Sequence, residues 1–191
     1  MKYVRIYIVS WLVLVVGGFY LLNRYDFQSP RIKVEEASLV NSSMSPRAYL
    51  FLHPKCACSY ASLTEFKNIL PLMKGKALVK VFFTKPKGMS EETFKSDLWN
   101  EAQKIKGIQL MMDDGGEEHK KFGVTTSGEF ILYNERGEKV FHGGLTPSRG
   151  HMGLSKGQIF IKEWFTGKKL ARDIANVYGC GLEGKSNESR K

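Results

Sequence analysis

The stretch Ala48-Tyr49-Leu50-Phe51-Leu52-His53-Pro54-Lys55-Cys56-Ala57-Cys58-Ser59 decides how the chain is organised. Residues 48 to 52 are an unbroken apolar run that stops at His53-Pro54, the pattern of a strand. From Ser59 to Met73, Leu63, Phe66, Leu70 and Met73 recur three and four apart, the spacing of one helix face. Two cysteines therefore stand between the end of a strand and the start of a helix.

Downstream the alternation continues. Residues 77–83 form a buried-type strand, and Ser90-Glu91-Glu92 is a helix start, a cap followed by acids on the helix dipole. That helix runs on through Phe94, Leu98, Ala102 and Ile105. A third strand covers 108–112 and a short helix 116–122. Residues 130–133, the turn Asn134-Glu135-Arg136-Gly137 and residues 139–142 make a hairpin. A last helix covers 158–165 and resumes from Lys168 to Val177. The order β-α-β-α-β-α-β-β-α demands parallel crossovers among the first strands and antiparallel pairing of the last two, an α/β fold with a mixed central sheet.

Upstream, Ile6 to Leu22 carries no charge. Seventeen helical residues reach about 25 Å, near the lower limit for a bilayer core, and Lys2, Arg5 and Arg24 can snorkel at the ends. No small-residue cleavage site follows, because the first alanine is Ala37. The expectation is an uncleaved signal anchor at 6–22, a cytoplasmic tail at 1–5, a tether at 23–45, one domain at 46–182 and a flexible polar tail at 183–191. Within the tether, Ile32-Lys33-Val34 alternates like a short edge strand. The positive-inside count is nearly balanced, and a five-residue tail stays in the cytoplasm more easily than a whole domain. The domain is thus expected outside a bacterial inner membrane, on the periplasmic side.

The chain has 191 residues, 42% hydrophobic and 25% charged, which excludes wholesale disorder, collagen and a multi-span membrane protein. Three cysteines are too few for a disulfide-dense scaffold. Lysine and arginine outnumber the acids 29 to 19, for a net charge of +10. The lysines are spread along the chain and build no basic recognition helix, so nucleic acid is not expected as a partner. Anionic headgroups or an acidic protein suit the charge better.

The chemistry centres on Cys56 and Cys58. Backbone amides at a helix start carry partial positive charge, lower a thiol's pKa and raise the thiolate fraction that attacks disulfides. Lys55 would add to this if its ammonium lies close. A Cys56–Cys58 bridge would close a small, strained and easily reduced ring. Cys180 would resolve a Cys56 intermediate if the C-terminus folds back, or else pack as a small hydrophobe. His53 is a candidate for the same groove. His119, in a charged run, reads as a solvated residue, and His142 as a structural one. The glycine-rich loop 143–153 carries Arg149 and His151, either as an irregular connection or as a loop presented to a partner.

This sequence of strand, cysteine motif and helix, then βαβ, hairpin and helix, resembles the thioredoxin-like superfamily over roughly residues 45 to 178. The resemblance implies a three-layer sandwich and gives Cys56 the role of attacking cysteine. More narrowly, His53-Pro54-Lys55-Cys56-Ala57-Cys58-Ser59, Thr126-Ser127-Gly128, Gly143-Gly144-Leu145-Thr146-Pro147-Ser148-Arg149-Gly150-His151 and Tyr178-Gly179-Cys180 resemble bacterial membrane-associated proteins of the RedB type. Two departures stand out. Ser59 occupies the place of the second cysteine of a Cys-x-x-Cys motif. The segment Val124-Thr125-Thr126-Ser127-Gly128-Glu129 has no proline where the family carries a cis-proline that blocks metals and shapes the partner groove.

Three functions follow. The first is a membrane-anchored thiol–disulfide oxidoreductase in which Cys56 attacks a protein partner's disulfide and Cys58 resolves, with Ser59, Thr126 and Ser127 in the groove and no cofactor. The second is a copper carrier using Cys56, Cys58 and either His53 or His151. The third is a binding module without catalysis.

Overall fold

The computed structural model describes residues 2–26, 45–168 and 173–183. The chain divides into two compact units, Met1–Pro30 and Arg31–Lys191. The described part of the first is one helix, α1 (Lys2–Asp26). The second holds β1 (Arg47–Leu52), α2 (Ala57–Met73), β2 (Leu78–Lys85), α3 (Glu91–Phe94), α4 (Asp97–Gln103), β3 (Gln109–Asp114), α5 (Glu117–Lys121), β4 (Glu129–Tyr133), β5 (Lys139–Gly144), α6 (Lys156–Phe165) and β6 (Asp173–Ile174).

The sheet order is β3-β2-β1-β4-β5-β6. β1, β2 and β3 run parallel, β4 is antiparallel to both β1 and β5, and β6 adds parallel to β5. β1 lies inside the sheet and is buried on both faces. Ala48, Leu50 and Leu52 enter a core with Leu63 and Phe66 of α2, Leu98 of α4 and Ile161 of α6. Tyr49 and Phe51 enter the opposite core with Phe82, Phe122, Ile131 and Leu182. Side chains of a strand alternate between faces, so covering both faces turns the alternation into an apolar run. On the second face Phe51 stacks on Phe82, with ring centroids 5.0 Å apart. The thiol motif follows the carboxyl end of β1, the edge of a parallel sheet where ligands and chemistry collect.

Several sequence expectations shift. The helix expected from Ser90 to Ile105 is two short ones. Ser90 caps α3 by accepting from Thr93 N–H, and Ser96 caps α4 by accepting from Trp99 N–H, so the second serine restarts the helix. The helix expected over 168–177 is not formed in the residues described there. β6 takes Asp173–Ile174, and the chain beyond it buries Ala175 and Val177 while exposing Ile174 and Asn176, a period of two. His119, expected on the surface, is buried. Its Nδ1 lies 2.9 Å from Asp113 Oδ2, and Thr84 Oγ1 donates to the same carboxylate at 3.1 Å. The reason is α5, whose inner side faces β3 and β2.

α1 covers the apolar run 6–22 and extends past both of its ends. Among the described residues no helix is long and apolar enough to cross a membrane. Residues 27–44, with most of the tether and its Ile32–Val34 strand, and residues 184–191 of the tail lie outside the described residues.

Candidate thiol site

Cys56 is the N-cap residue of α2, with extended backbone at φ −93° and ψ 120°. Its N–H donates to the carbonyl of His53 at 3.2 Å, and its carbonyl accepts from Ser59 N–H at 3.0 Å. The cap side chain is a thiol rather than a hydroxyl and makes no capping bond. The partial positive charge of the helix start lies at this cap. Cys58 sits one residue into the same turn. Both cysteines are buried, at 5% and 7% exposure.

Cys180 arrives from the other end of the chain. Ser127 N–H donates to the Cys180 carbonyl at 2.8 Å, and Leu182 N–H donates to the Thr125 carbonyl at 2.9 Å. Thr126 and Gly181 form an antiparallel bridge between these bonds. Leu182 is fully buried beside Phe51 and Phe122 and pins the segment. Gly179 passes the Ser127 carbonyl so closely that a Cβ there would collide with the oxygen. The result is that the sulfurs of Cys56, Cys58 and Cys180 all lie within 4.8 Å of one another, as free thiols.

The loop that receives Cys180 is held from below. Glu129 Oε1 accepts from Thr126 N–H at 2.8 Å and from Thr125 N–H at 3.1 Å, while its Oε2 lies 2.7 Å from His142 Nε2. Ser127 Oγ accepts from His53 N–H at 2.9 Å and pairs with Ser59 Oγ at 2.5 Å. Ser59 Oγ also lies 2.9 Å from the His53 carbonyl. These bonds tie the end of β1, the head of α2 and the 125–127 loop into one unit. No cis peptide bond occurs among the described residues, so this loop makes its turn entirely in trans.

The three thiols are electrostatically unequal. Burial pushes Cys56 up, but hydrogen bonds from the Cys180 thiol, the Ser59 and Cys180 N–H groups and the Ser59 hydroxyl outweigh it, leaving Cys56 below the usual thiol value. Burial and the neighbouring Cys56 push Cys58 up, against the pull of Arg149. Burial, the hydrogen bond to Cys56 and its charge push Cys180 up to about 12. Cys56 is thus the most acidic of the three thiols, with Cys58 and Cys180 shifted the other way.

Of the other sequence candidates, Ser59, Thr126 and Ser127 are buried around the site. The backbone of His53 anchors the loop. Its Nδ1 accepts from Lys55 N–H at 3.2 Å, its Nε2 is buried with no partner, and burial holds its pKa down. The Lys55 side chain is exposed. The cation acting on Cys58 and Cys180 is Arg149, whose Nη1 also donates to the Gly179 carbonyl at 3.2 Å. His151 is exposed, with its Nδ1 2.8 Å from the Arg149 carbonyl, and joins no sulfur cluster.

Two supporting groups escape sequence reasoning. Glu129 is one. The other is Glu65, buried in α2, which accepts from Gly153 N–H at 2.6 Å and from Gln158 Nε2 at 2.8 Å. It fixes the Arg149 loop, whose Gly150 N–H in turn reaches Cys58. An acid on an apolar helix face or at a strand start carries no periodic signal that marks it as buried.

No family model matches the chain, and no curated protein does. Solved structures do. A hypothetical protein from Sinorhizobium meliloti 1021 is similar at 15% identity and TM-score 0.60, over 73% of this chain and 80% of its own. An uncharacterized conserved protein from Geobacillus kaustophilus is similar at 14% identity and TM-score 0.58, over 83% and 90%. The exposed lipoprotein thioredoxin of Streptococcus pneumoniae strain TIGR4 is similar at 19% identity and TM-score 0.48, over 66% and 87%. The parallel β1-β2-β3 half, the antiparallel β4–β5 hairpin, the flanking helices and a cysteine motif at the head of α2 make this a thioredoxin-like fold.

Proposed function

We propose that the protein is a thiol–disulfide oxidoreductase, anchored in a bacterial inner membrane by the helix over 6–22, with its domain on the periplasmic side. The observation that carries this is the cluster of three free sulfurs within 4.8 Å around the cap of α2. In the reducing direction, the Cys56 thiolate attacks one sulfur of a partner disulfide. A Cys56–partner disulfide forms, and the partner's other sulfur leaves as thiolate and takes a proton. A second thiol of the cluster then loses its proton and attacks Cys56 Sγ. An internal disulfide closes and the second partner sulfur leaves, so two electrons have passed to the partner. Once Cys56 is bonded its charge is gone, the repulsion that held Cys58 and Cys180 protonated falls away, and the resolving step becomes easier. A second dithiol protein restores the starting state, and no cofactor takes part.

Either Cys58 or Cys180 is within reach as resolving thiol. Cys180 is favoured, because a Cys56–Cys58 bridge closes a small, strained ring, whereas Cys180 meets Cys56 across two chain segments. A protein partner is supported by Met152 and Leu154, exposed at 61% and 72% close to Gly150, which touches Cys58. The test is a variant series in a dithiothreitol-dependent disulfide reduction assay. Cys56→Ser abolishes turnover, and Cys180→Ser accumulates a mixed disulfide through Cys56. Full turnover in Cys56→Ser overturns the proposal.

A further inference from the structure

We propose that Cys56, Cys58 and Cys180 also form a three-thiolate site for a soft monovalent cation, copper(I). This uses the sulfurs of the exchange reaction but does not rest on that reaction. Thiolates select soft metals, copper(I) and zinc foremost. Zinc in a closed structural site takes four ligands in a tetrahedron. Among the described residues the cluster supplies three, all sulfur, with no histidine or carboxylate joining them. Copper(I) is satisfied by three sulfurs in a plane.

The ligand set also departs from the sequence expectation. His151 is turned to the Arg149 carbonyl and His53 belongs to no metal-capable group, so the third donor is Cys180. The surroundings suit the product. One copper(I) on three thiolates leaves a net charge of −2, and the Arg149 guanidinium beside Cys58 and Cys180, together with the first-turn amides of α2, offsets it. Cys56 and Cys58 are buried while Cys180 stands on the exposed side, so the metal enters and leaves by exchange at Cys180.

The experiment is a competition titration of the reduced full chain against the bicinchoninate complex of copper(I), followed by X-ray absorption on the loaded protein. The result expected is one equivalent of copper withdrawn and a first shell of three sulfurs. Cys180→Ser then weakens binding by more than the roughly 100-fold that loss of an outer-shell partner costs. His151→Ala leaves the affinity unchanged. The proposal is overturned if the reduced protein withdraws no copper, if the shell contains nitrogen, or if Cys180→Ser binds as tightly as the wild type. The absorption spectrum of the wild type needs no variant to fold. A failed titration leaves disulfide exchange intact, and failed exchange leaves the titration to be read by itself.

Discussion

Ser127 N–H donates to the carbonyl of Cys180 at 2.8 Å, across 53 positions of sequence. That bond, its neighbour from Leu182 to Thr125 and the Thr126–Gly181 bridge between them pair residues 180–182 with the loop beside the thiols. The C-terminal segment therefore closes over that loop. It brings a sulfur of its own, which is why the site has three thiols and not two.

One side chain anchors that segment in the core. Leu182 is fully buried against Phe51 and Phe122. Leu182→Ala removes an anchor worth about 2–5 kcal/mol, more than enough to release a terminal segment. Alkylation of Cys180 is expected to speed up at least tenfold while that of Cys58 stays near the wild-type rate. Equal Cys180 rates in the two proteins would show that Leu182 does not hold the segment.

Gly179→Ala should act similarly through a clash. The added methyl meets the Ser127 carbonyl, which cannot move without breaking the bond to Cys180. Amide exchange at Ser127 is the readout, and its protection is expected to drop in the variant. Unchanged protection would mean that the segment accommodates the methyl.

Glu129→Gln keeps the shape of the 125–127 support but removes its charge. The carboxylate accepts from two backbone N–H groups and faces His142 while 2% exposed. A loss of about 1–3 kcal/mol is expected, hydrogen bonds to charged groups being the stronger kind. Urea unfolding with the midpoint displaced and the slope kept is the check. A midpoint equal to the wild type would remove Glu129 from the scaffold of the site.

Acid weakens the fold through Asp113. Burial raises its pKa, but bonds from the His119 ring, the Glu118 and His119 N–H groups and Thr84 overcome this, leaving it below its ordinary value of 3.8. A depressed carboxylate contributes stability that is complete above the ordinary value and is lost as pH falls through the folded one. Unfolding midpoints measured downward from pH 5 should therefore fall more steeply in the wild type than in Asp113→Asn. Parallel curves would assign the acid limb to other groups.

The frame of the fold was legible because β1 and α2 carry strong periodic signals, and the cysteines fall between them. The turn Asn134-Glu135-Arg136-Gly137 between residues 130–133 and 139–142 placed the hairpin and its antiparallel pairing. Ser96 was not legible as a restart, since a serine inside a helical pattern competes with the backbone only when its geometry allows. The described residues of the expected 168–177 helix are extended because helix and strand periods cannot be told apart over so few residues, and it is pairing with β5 that decides. His119 looked solvated amid Glu117, Glu118, Lys120 and Lys121. Only the packing of α5 against the sheet turns that one ring inward. Cys180 was visible as a third thiol, but its seat depends on Gly179, Leu182 and the 125–127 loop, contacts that sequence spacing does not contain.

The most direct measurement is intact mass and peptide mapping of the full chain across a graded glutathione series. The result expected is an internal disulfide from Cys56, to Cys180 in preference to Cys58, that opens and closes reversibly at a defined potential. Three thiols free throughout the series, or a bridge that leaves Cys56 out, would contradict it.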